Sequence, residues 1–188
     1  MAEKDFNFKI GCGDKVRILF VCLGNICRSP AAQGVMERLV AERGTADRFE
    51  IDSAGLYGGH AGDLPDSRMR AHARRRGLEL THRSRQVRES DFDRFDIIVA
   101  MDNSNYDGLR ALAPTPEDER KIVKMADFFT QHPWADCVPD PYYDGAQGFE
   151  NALDLIEDGC EMLYEFIMHN RLRSIGADAR AVRPYRRI

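Results

Sequence analysis

The 188-residue chain lacks the sequence features that are typical of membrane, secreted, repeat and nucleic-acid-binding proteins. It contains no apolar run long enough to span a membrane, and its first residues, MAEKDFNFKIGCGD, lack the apolar core of a signal peptide. It has no internal repeat or low-complexity tract, and its net charge of −4 disfavours general nucleic-acid binding. We therefore expect a cytoplasmic protein that binds neither nucleic acid nor membranes.

Cysteine is also scarce, and its pattern argues against a structural role. The five cysteines are Cys12, Cys22, Cys27, Cys137 and Cys160. An odd number in a chain without an export signal favours reduced thiols over a disulfide framework. The scattered histidines show no zinc-ligand spacing with these cysteines. We therefore expect no metal and no other cofactor.

Apolar patterning predicts alternating strands and helices. The predicted strands are VRILFVC (16–22), FEIDSAG (49–55), FDIIVAMD (95–102) and a weaker KIVKMADF (121–128). The predicted helices are SPAAQGVMERLVAERG (29–44), DSRMRAHARRRG (66–77), SNYDGLRALA (104–113) and FENALDLIEDGCEMLYEFIMHNRL (149–172). A long loop, TQHPWADCVPDPYYDGAQ, precedes the last helix.

This alternation indicates an α/β protein with a parallel sheet covered on both faces. We predict a single domain over residues 16–172, with a four-stranded twisted sheet in the flavodoxin-like order 2-1-3-4. Residues 1–15 and the arginine-rich residues 173–188 are predicted to be tails. Ligands of such sheets bind outside the carboxyl ends of the strands, and Cys22 lies at such an end.

The segment VCLGNICRSP, between the first strand and helix, is suited to binding a tetrahedral dianion. Gly24 and Asn25 tolerate positive φ, so successive backbone N–H groups can turn inward and form an anion-binding concavity. The helix that begins near Arg28 adds its unpaired N–H groups. The predicted phosphate-binding residues are Leu23, Gly24, Asn25, Ile26, Cys27, Arg28 and Ser29.

The same segment carries a candidate nucleophile. Cys22 would lie at the floor of an electropositive cup, which favours thiolate over thiol. Arg28 can bind two phosphate oxygens as a fork, and Ser29 can donate a hydrogen bond to the sulfur. A lone cysteine is usually a buried apolar residue and a lone arginine a surface one. The spacing C-x5-R-S between strand and helix favours phosphate chemistry instead.

A phosphocysteine route also needs a proton donor for the leaving group. Asp140 in VPDPYYDG is the best candidate, because the flanking prolines restrict the backbone of its loop. Tyr142 and Tyr143 offer aromatic walls to a substrate ring. Without the first motif, Pro-Asp-Pro would be interpreted as a simple turn, and Asp144 is a local rival.

VCLGNICRSPAA, together with IDSAG, THRSRQV, FDIIVAMD and DPYYDG, resembles the low-molecular-weight protein tyrosine phosphatases from about Val16 to Leu172. The resemblance implies metal-independent hydrolysis of phosphotyrosine in proteins through a phosphocysteine intermediate. It assigns the nucleophile to Cys22, the phosphate-binding guanidinium to Arg28 and the general acid to Asp140.

The resemblance also implies a support for the loop. Asn25, with Ser29 beside it, would be held by Ser53 and His82, which would keep the loop in its phosphate-binding form. From the residues alone, a strand-end turn for Ser53 and a surface position for His82 are equally acceptable. We expect a monomer or a weak dimer.

Two more residues acquire interpretations. In the family, the cysteine at the position of Cys27 can form a reversible disulfide with the nucleophile, so Cys27 is a predicted redox partner. A small buried side chain is the alternative. Asp102 is interpreted as a helix N-cap.

Leu23 and Ile26, with Tyr142 and Tyr143, are predicted to form a deep apolar slot for a phenyl ring. Relatives that act on phosphoarginine resemble the family with threonine at the position of Ile26, so isoleucine favours tyrosine. The chain departs from its relatives near Gly59, where an aromatic residue is frequent. Tyr57 or His60 is expected to take that role.

Three alternatives remain. A phosphoarginine phosphatase has the same fold, and so does a thioredoxin-coupled arsenate reductase, which would need two further cysteines that RMRAHARRRGLELTHRSR lacks. A non-catalytic phosphate-binding regulatory module would need neither the thiolate nor the acid. The arginines of Arg74–Arg76, with Arg83, Arg85 and Arg88, could attract acidic phosphopeptides or form a solvated helix face.

Overall fold

The computed structural model describes residues 15–174, with the side chains of residues 15–170. The predicted tails, residues 1–15 and 173–188, lie outside the described residues apart from residues 15, 173 and 174. Within the described part of the chain, no helix has the length and apolar character needed to cross a membrane.

Four parallel strands form one sheet in the order β2-β1-β3-β4, which confirms the predicted order. The strands are β1 (Val16–Cys22), β2 (Phe49–Gly55), β3 (Ile97–Ala100) and β4 (Ile122–Lys124). Cys22 pairs with Gly55, and Val21 pairs with both Ala54 and Ala100. The carboxyl ends of the three strands β1, β2 and β3 therefore meet at one edge of the sheet.

Strand β1 is buried on both faces, as its continuous apolar run predicts. Its side chains alternate between two hydrophobic cores. Ile18 and Phe20 contribute to the core that includes α1 and α6, whereas Leu19 and Val21 contribute to the core on the other face. The strand thus joins both layers of helices and fixes the position of Cys22 at its end.

The helices are α1 (Arg28–Glu42), α2 (Ser67–Arg75), α3 (Ser90–Arg94), α4 (Asn103–Leu112), α5 (Pro116–Glu119) and α6 (Ala146–Ser174). Short 3-10 turns occupy Ala46–Arg48, Met125–Phe128 and Pro141–Tyr143. Helices α1 and α6 cover one face of the sheet, while Phe92 of α3 and Leu109 of α4 pack on the other. The side chain of Asp102 caps α4, as predicted, and that of Asp66 caps α2.

The fourth strand is shorter than predicted, because the apolar pattern of KIVKMADF serves two elements. Only Ile122–Lys124 is strand, and Met125–Phe128 is a 3-10 turn. Met125 and Phe128 are buried in the core shared with α6, so the chain leaves the sheet to place them there. The helices α3 and α5 were not predicted, since five and four residues are too few to show a helical period.

Candidate active site

The residues 23–27 between β1 and α1, here called the phosphate loop, depend on one unusual backbone position. Asn25 has φ of 55°, the only positive value at a non-glycine position in the described part of the chain. This conformation lets the Asn25 backbone N–H donate to Cys22 Sγ at 3.3 Å. Asparagine is among the few non-glycine residues that accept this region readily.

The Asn25 side chain is fully buried and uses all of its hydrogen-bonding capacity. Its Nδ2 donates to Ser29 Oγ and to Ser53 Oγ, both at 2.9 Å. Its Oδ1 accepts from the backbone N–H of Arg85 at 2.9 Å and contacts His82 Nε2 at 3.0 Å. The structure therefore brings together the four residues predicted to support the loop.

The hydrogen bonds of Asn25 determine that the His82 ring carries a hydrogen on Nε2, and the network extends beyond Ser53 to Gln33. Because Nδ2 of Asn25 donates to two hydroxyls, its Oδ1 is an acceptor and His82 donates from Nε2. Burial lowers the pKa of His82 below its ordinary value, although Asp52 nearby opposes this effect. Ser53 Oγ donates to Gln33 Oε1 at 2.8 Å, a contact that the sequence analysis missed.

Cys22 lies at the bottom of this arrangement, and 3% of it is exposed. Its Sγ is 3.1 Å from Ser29 Oγ. The same hydroxyl lies 3.2 Å from the carbonyl oxygen of Ala54. Ser29 has one hydroxyl hydrogen, so it can donate either to the sulfur or to the carbonyl.

Arg28 is almost fully buried at the first position of α1. Its Nη1 hydrogen-bonds Asp102 and the carbonyl of Val138, and its Nη2 donates to Asp140 Oδ2 at 2.7 Å. Burial alone would lower the pKa of Arg28, but the charges of Cys22 and Asp140 outweigh it and raise the pKa. Its Nε is buried and has no hydrogen-bond partner among the described residues. An acceptor such as a phosphate oxygen would satisfy this donor.

The segment Val138–Tyr143, here called the acid loop, reaches the site through the end of β3. The backbone N–H of Val138 donates to the carbonyl of Met101 at 2.8 Å. Asp140 follows and accepts from the Tyr142 backbone N–H at 3.2 Å as well as from Arg28. The structure therefore places Asp140 beside Arg28.

A cavity of about 240 Å³ opens above the phosphate loop. It is lined by Cys22, Leu23, Gly24, Ile26, Cys27, Arg28, Tyr57, His60, Asp140, Tyr142 and Tyr143. All four residues predicted to form the slot are in this set. Asp144 does not line it, although it is only four residues from Asp140. The cavity thus joins a thiol, a guanidinium and a carboxylate beneath aromatic walls.

The departure near Gly59 is explained by Tyr57. A Cβ atom at Gly59 would lie 2.2 Å from the Tyr57 ring, so this ring occupies the space of a side chain at position 59. His60 packs edge-on against Tyr57 and lies near Gly24 of the phosphate loop. Both residues line the cavity, so both contribute to its rim.

Cys27 is buried and lines the same cavity as Cys22. Burial raises the pKa of Cys27 strongly, and the charges of Asp66, Cys22 and Asp140 raise it further. Cys27 is therefore a thiol at neutral pH.

A larger cavity, of about 620 Å³, lies between α1 and α6 and is not a phosphate site. Its walls carry five acidic residues, Glu42, Asp154, Glu157, Asp158 and Glu161, with Arg38 and His132. None of the described cysteines lines it. An acidic surface would repel a phosphate dianion.

The family model for low molecular weight phosphotyrosine protein phosphatases matches residues 17–173. The chain belongs to this family. A relative from Synechocystis, described as a putative low molecular weight protein-tyrosine-phosphatase, is 43% identical over 145 residues, which cover 77% of this chain and 92% of the relative.

Solved structures of the family agree in fold. A crystal structure of a protein tyrosine phosphatase from Entamoeba histolytica, with Hepes in its active site, is 44% identical, with a TM-score of 0.81 over 84% of this chain and 100% of that chain. A Drosophila arginine phosphatase is 35% identical, with a TM-score of 0.74 over 80% of this chain and 96% of that chain.

Sequence reasoning gave Asp102 only half of its contacts. As predicted, Asp102 Oδ1 accepts from the Asn105 backbone N–H at the start of α4. Its other oxygen holds Arg28, a contact across 74 residues. In this chain, the carboxylate that holds Arg28 therefore also caps α4.

The arginine-rich stretch is largely committed to internal ion pairs. Arg74 pairs with Glu79, Arg76 pairs with Glu150 and Glu157, and Arg85 pairs with Asp52 and Asp91. The Arg76 pairs join α2 to α6, and Arg85 joins β2 to α3. The charges of these three arginines therefore already face carboxylates of the same chain.

Proposed function

We propose that this protein hydrolyses phosphotyrosine in proteins, with Cys22 as the nucleophile of a phosphocysteine mechanism. The observation that carries the proposal is the buried Nε of Arg28, which has no partner in the described part of the chain, in the cavity that Cys22 also lines. A thiol and an unsatisfied guanidinium donor in one small cavity suit a phosphate monoester whose phosphorus faces the sulfur.

In the first step, the Cys22 thiolate forms a bond to phosphorus while the bond from phosphorus to the tyrosine oxygen breaks. Arg28 and the backbone N–H groups of the phosphate loop stabilise the equatorial oxygens. Asp140 gives its proton to the departing tyrosine oxygen, which leaves as a neutral phenol. The other local acid, Asp144, lies outside the cavity.

In the second step, the Asp140 carboxylate accepts a proton from water as the water oxygen bonds to phosphorus. The sulfur–phosphorus bond breaks, and its electron pair returns to Cys22. Ser29 assists this departure, because its hydroxyl can turn from the Ala54 carbonyl to the sulfur and stabilise the new thiolate. The product is inorganic phosphate. Arg28 and the loop amides supply the positive charge, so we expect turnover without metal or cofactor.

The walls of the cavity favour an aryl phosphate. Leu23, Ile26, Tyr57, Tyr142 and Tyr143 offer apolar and aromatic surface to a phenyl ring. The guanidinium of phosphoarginine would instead require acceptors for its N–H groups, and Ile26 offers none at its position. The Drosophila arginine phosphatase among the similar structures makes phosphoarginine the second candidate. Purified protein should turn over phosphotyrosine faster than phosphoarginine, and the reverse order would replace the proposal.

We assign Cys27 the role of redox partner. Peroxide would oxidise the Cys22 thiolate to a sulfenic acid, and the Cys27 sulfur would displace water from it to form a disulfide. A thiol reductant would restore both cysteines. After peroxide treatment, native protein should recover activity with dithiothreitol, and Cys27→Ser should recover much less. Equal recovery would remove this role.

The remaining assignments concern the domain bounds, the cellular location, the oligomeric state and the partners. We propose that residues 16–172 form the catalytic domain, that it acts in the cytoplasm as a monomer or weak dimer, and that phosphotyrosine-containing proteins are its partners. Family membership supports the phosphoprotein substrates.

The deciding experiment is hydrolysis of an aryl phosphate in EDTA by native protein and by Cys22→Ser. Activity in the native protein alone supports cysteine phosphatase chemistry without metal. Activity in both proteins would exclude Cys22 as the nucleophile. Inactivity in both would leave the reductase or the non-catalytic binding module, and would remove the proposed function.

A further inference from the structure

Arg68, which the mechanism above does not use, is built onto the phosphate loop. Its guanidinium forms two hydrogen bonds with the Asp66 carboxylate, Nε to Oδ1 at 3.1 Å and Nη2 to Oδ2 at 2.9 Å. Asp66 in turn donates its backbone N–H to the Ile26 carbonyl at 2.7 Å. This pair therefore stands at a fixed distance from the loop that holds phosphate.

The pairing of Arg68 and Asp66 is firm. Burial alone would raise the pKa of Asp66, but hydrogen bonds from the Arg68 side chain and from the backbone N–H groups of Arg68 and Met69 lower it. Asp66 is thus ionised at neutral pH and holds the guanidinium with a two-point contact.

The opposite side of Arg68 reaches the acid loop. Its guanidinium carbon lies 5.3 Å from the centre of the Tyr142 ring and 5.0 Å from the centre of the Phe149 ring. Both distances are within the range of cation–π attraction. Phe149 is buried in the core, so Arg68 connects a fixed point on α6 with an exposed ring of the acid loop.

Tyr142 links Arg68 to Asp140 through a backbone hydrogen bond. The Tyr142 backbone N–H donates to Asp140 Oδ1, while Asp140 Oδ2 is paired with Arg28. A phosphate in the cavity would draw on the same guanidinium and weaken that ion pair. The Arg68–Tyr142 contact lies outside this competition, because it involves neither Arg28 nor the phosphate oxygens.

We propose that Arg68 is a positioning residue for the general acid. Through Tyr142 it holds the Asp140 carboxyl at the height of the leaving-group oxygen, and through Asp66 it sets this height relative to the phosphate loop. This inference rests on the proposed function, since it presupposes that Asp140 is the acid. A merely structural role, as part of the α2 cap, would affect stability without regard to the leaving group.

Leaving-group dependence separates the two roles. Phenyl phosphate has a basic leaving oxygen and needs the acid, whereas 4-nitrophenyl phosphate has a weakly basic one and needs it far less. The quantity to compare is kcat/KM, which reports the transfer of phosphate to Cys22. A displaced acid should lower kcat/KM for phenyl phosphate selectively.

The test uses Arg68→Met, which keeps a long apolar side chain but removes the fork and the charge. We expect the ratio of kcat/KM for phenyl phosphate to that for 4-nitrophenyl phosphate to fall about tenfold, part of the effect of a general acid. Arg74→Met is the matched control. Arg74 lies on the same helix as Arg68 and makes a similar two-point pair, with Glu79, away from the cavity. Its ratio should equal the native one.

An unchanged ratio in Arg68→Met would overturn the inference. If that variant fails to fold, Arg68→Lys keeps the charge without the planar fork and should still lower the ratio. In a Tyr142→Leu background, Arg68→Met should change the ratio no further, and an undiminished effect would exclude the path through Tyr142. Native hydrolysis of both substrates that requires Cys22 keeps the proposed function intact whichever result Arg68 gives.

Discussion

The phosphate loop and the acid loop both face Arg28, but they are held in different ways. The phosphate loop is anchored by side chains from α1, β2 and the segment around His82, and its central Asn25 is fully buried. In the acid loop, Asp140 and Tyr142 are exposed, and 93% of Tyr143 is accessible. A preorganised anion site loses little energy in reorganisation, whereas an acid must let substrate enter and product leave.

The two loops therefore differ in how they hold their functional groups. Buried hydrogen bonds fix the groups that stabilise charge, because a donor that must reorganise contributes less to the transition state. In the acid loop, Val138 is held through its backbone, while the exposed part is held by two side chains, Asp140 against Arg28 and Tyr142 against Arg68. Substitutions can therefore weaken one loop and leave the other intact.

The largest effect is expected where the two loops meet. Arg28→Lys keeps a positive charge but loses the fork that serves Asp102, Asp140 and the phosphate together. We expect kcat/KM for an aryl phosphate to fall about a thousandfold, with weaker inhibition by inorganic phosphate. Retention of more than a tenth of native activity would show that a point charge suffices.

Asp140→Asn should break the acid loop alone. The amide cannot donate the proton that the leaving group needs, so kcat/KM for phenyl phosphate should fall about a hundredfold or more. Inhibition by inorganic phosphate should remain, since the phosphate loop is untouched. Asp144→Asn is the matched control, and a larger loss there would move the acid to Asp144.

Asn25→Ala should break the phosphate loop alone. The variant removes the side chain that joins Ser29, Ser53 and His82, and it places alanine at positive φ. We expect about a tenfold weaker inhibition by inorganic phosphate and a thermal midpoint lower by several degrees. If the leaving-group ratio changed while phosphate inhibition did not, the two loops would not be independent.

The sequence analysis predicted geometry best where the residues concerned are contiguous. Cys22, Asn25 and Arg28 share one strand–loop–helix unit, so their spacing indicates their arrangement. The presence of a parallel sheet also followed from apolar runs separated by helices, whereas the strand order came with the flavodoxin-like fold class. The acid loop was harder, because Pro-Asp-Pro is equally typical of a turn, and the resemblance to a known family decided in favour of Asp140.

The contacts that were missed join distant parts of the chain. The Arg28–Asp102 pair spans 74 residues, and the Ser53–Gln33 hydrogen bond joins the end of β2 to the first turns of α1. Periodicity carries no signal for such contacts, since each partner looks like an ordinary polar residue of its own element. Arg68 escaped for the same reason.

Asp158 is a missed residue that holds the start of the long loop, which leads to the acid loop. It is buried on α6 and accepts hydrogen bonds from the backbone N–H groups of Thr130, Gln131 and His132, where the long loop leaves the core. Asp158→Asn should reduce the free energy of unfolding by about 2 kcal/mol, the order expected for hydrogen bonds to a charged group. Denaturant unfolding measures this loss.

Phosphate inhibition of the same variant tests whether the phosphate loop is independent of the long loop. Folded Asp158→Asn should keep phosphate inhibition close to native, because no contact links Asp158 to the phosphate loop in the described part of the chain. Asp154→Asn, at an exposed position of the same helix, should change stability much less. Equal losses in the two variants would show that the buried hydrogen bonds contribute little.

The smallest expected effect concerns the pH dependence of stability. Burial lowers the pKa of His82, so the folded protein resists protonation while the unfolded chain accepts it near the ordinary pKa of about 6.5. Folding is therefore fully favoured above that pH, and stability is lost as the pH falls through the lowered pKa. Protonation would also add a charge beside Arg85, next to the Asn25 network.

His82→Gln can still donate to Asn25 but does not titrate. Its free energy of unfolding, measured by denaturant between pH 7.5 and pH 5, should decline less steeply than that of native protein, and the difference should appear only below about pH 6.5. His169→Gln, at an exposed position of α6, should keep the native slope. Parallel slopes in His82→Gln and native protein would show that His82 is protonated as easily in the folded protein as in the unfolded chain.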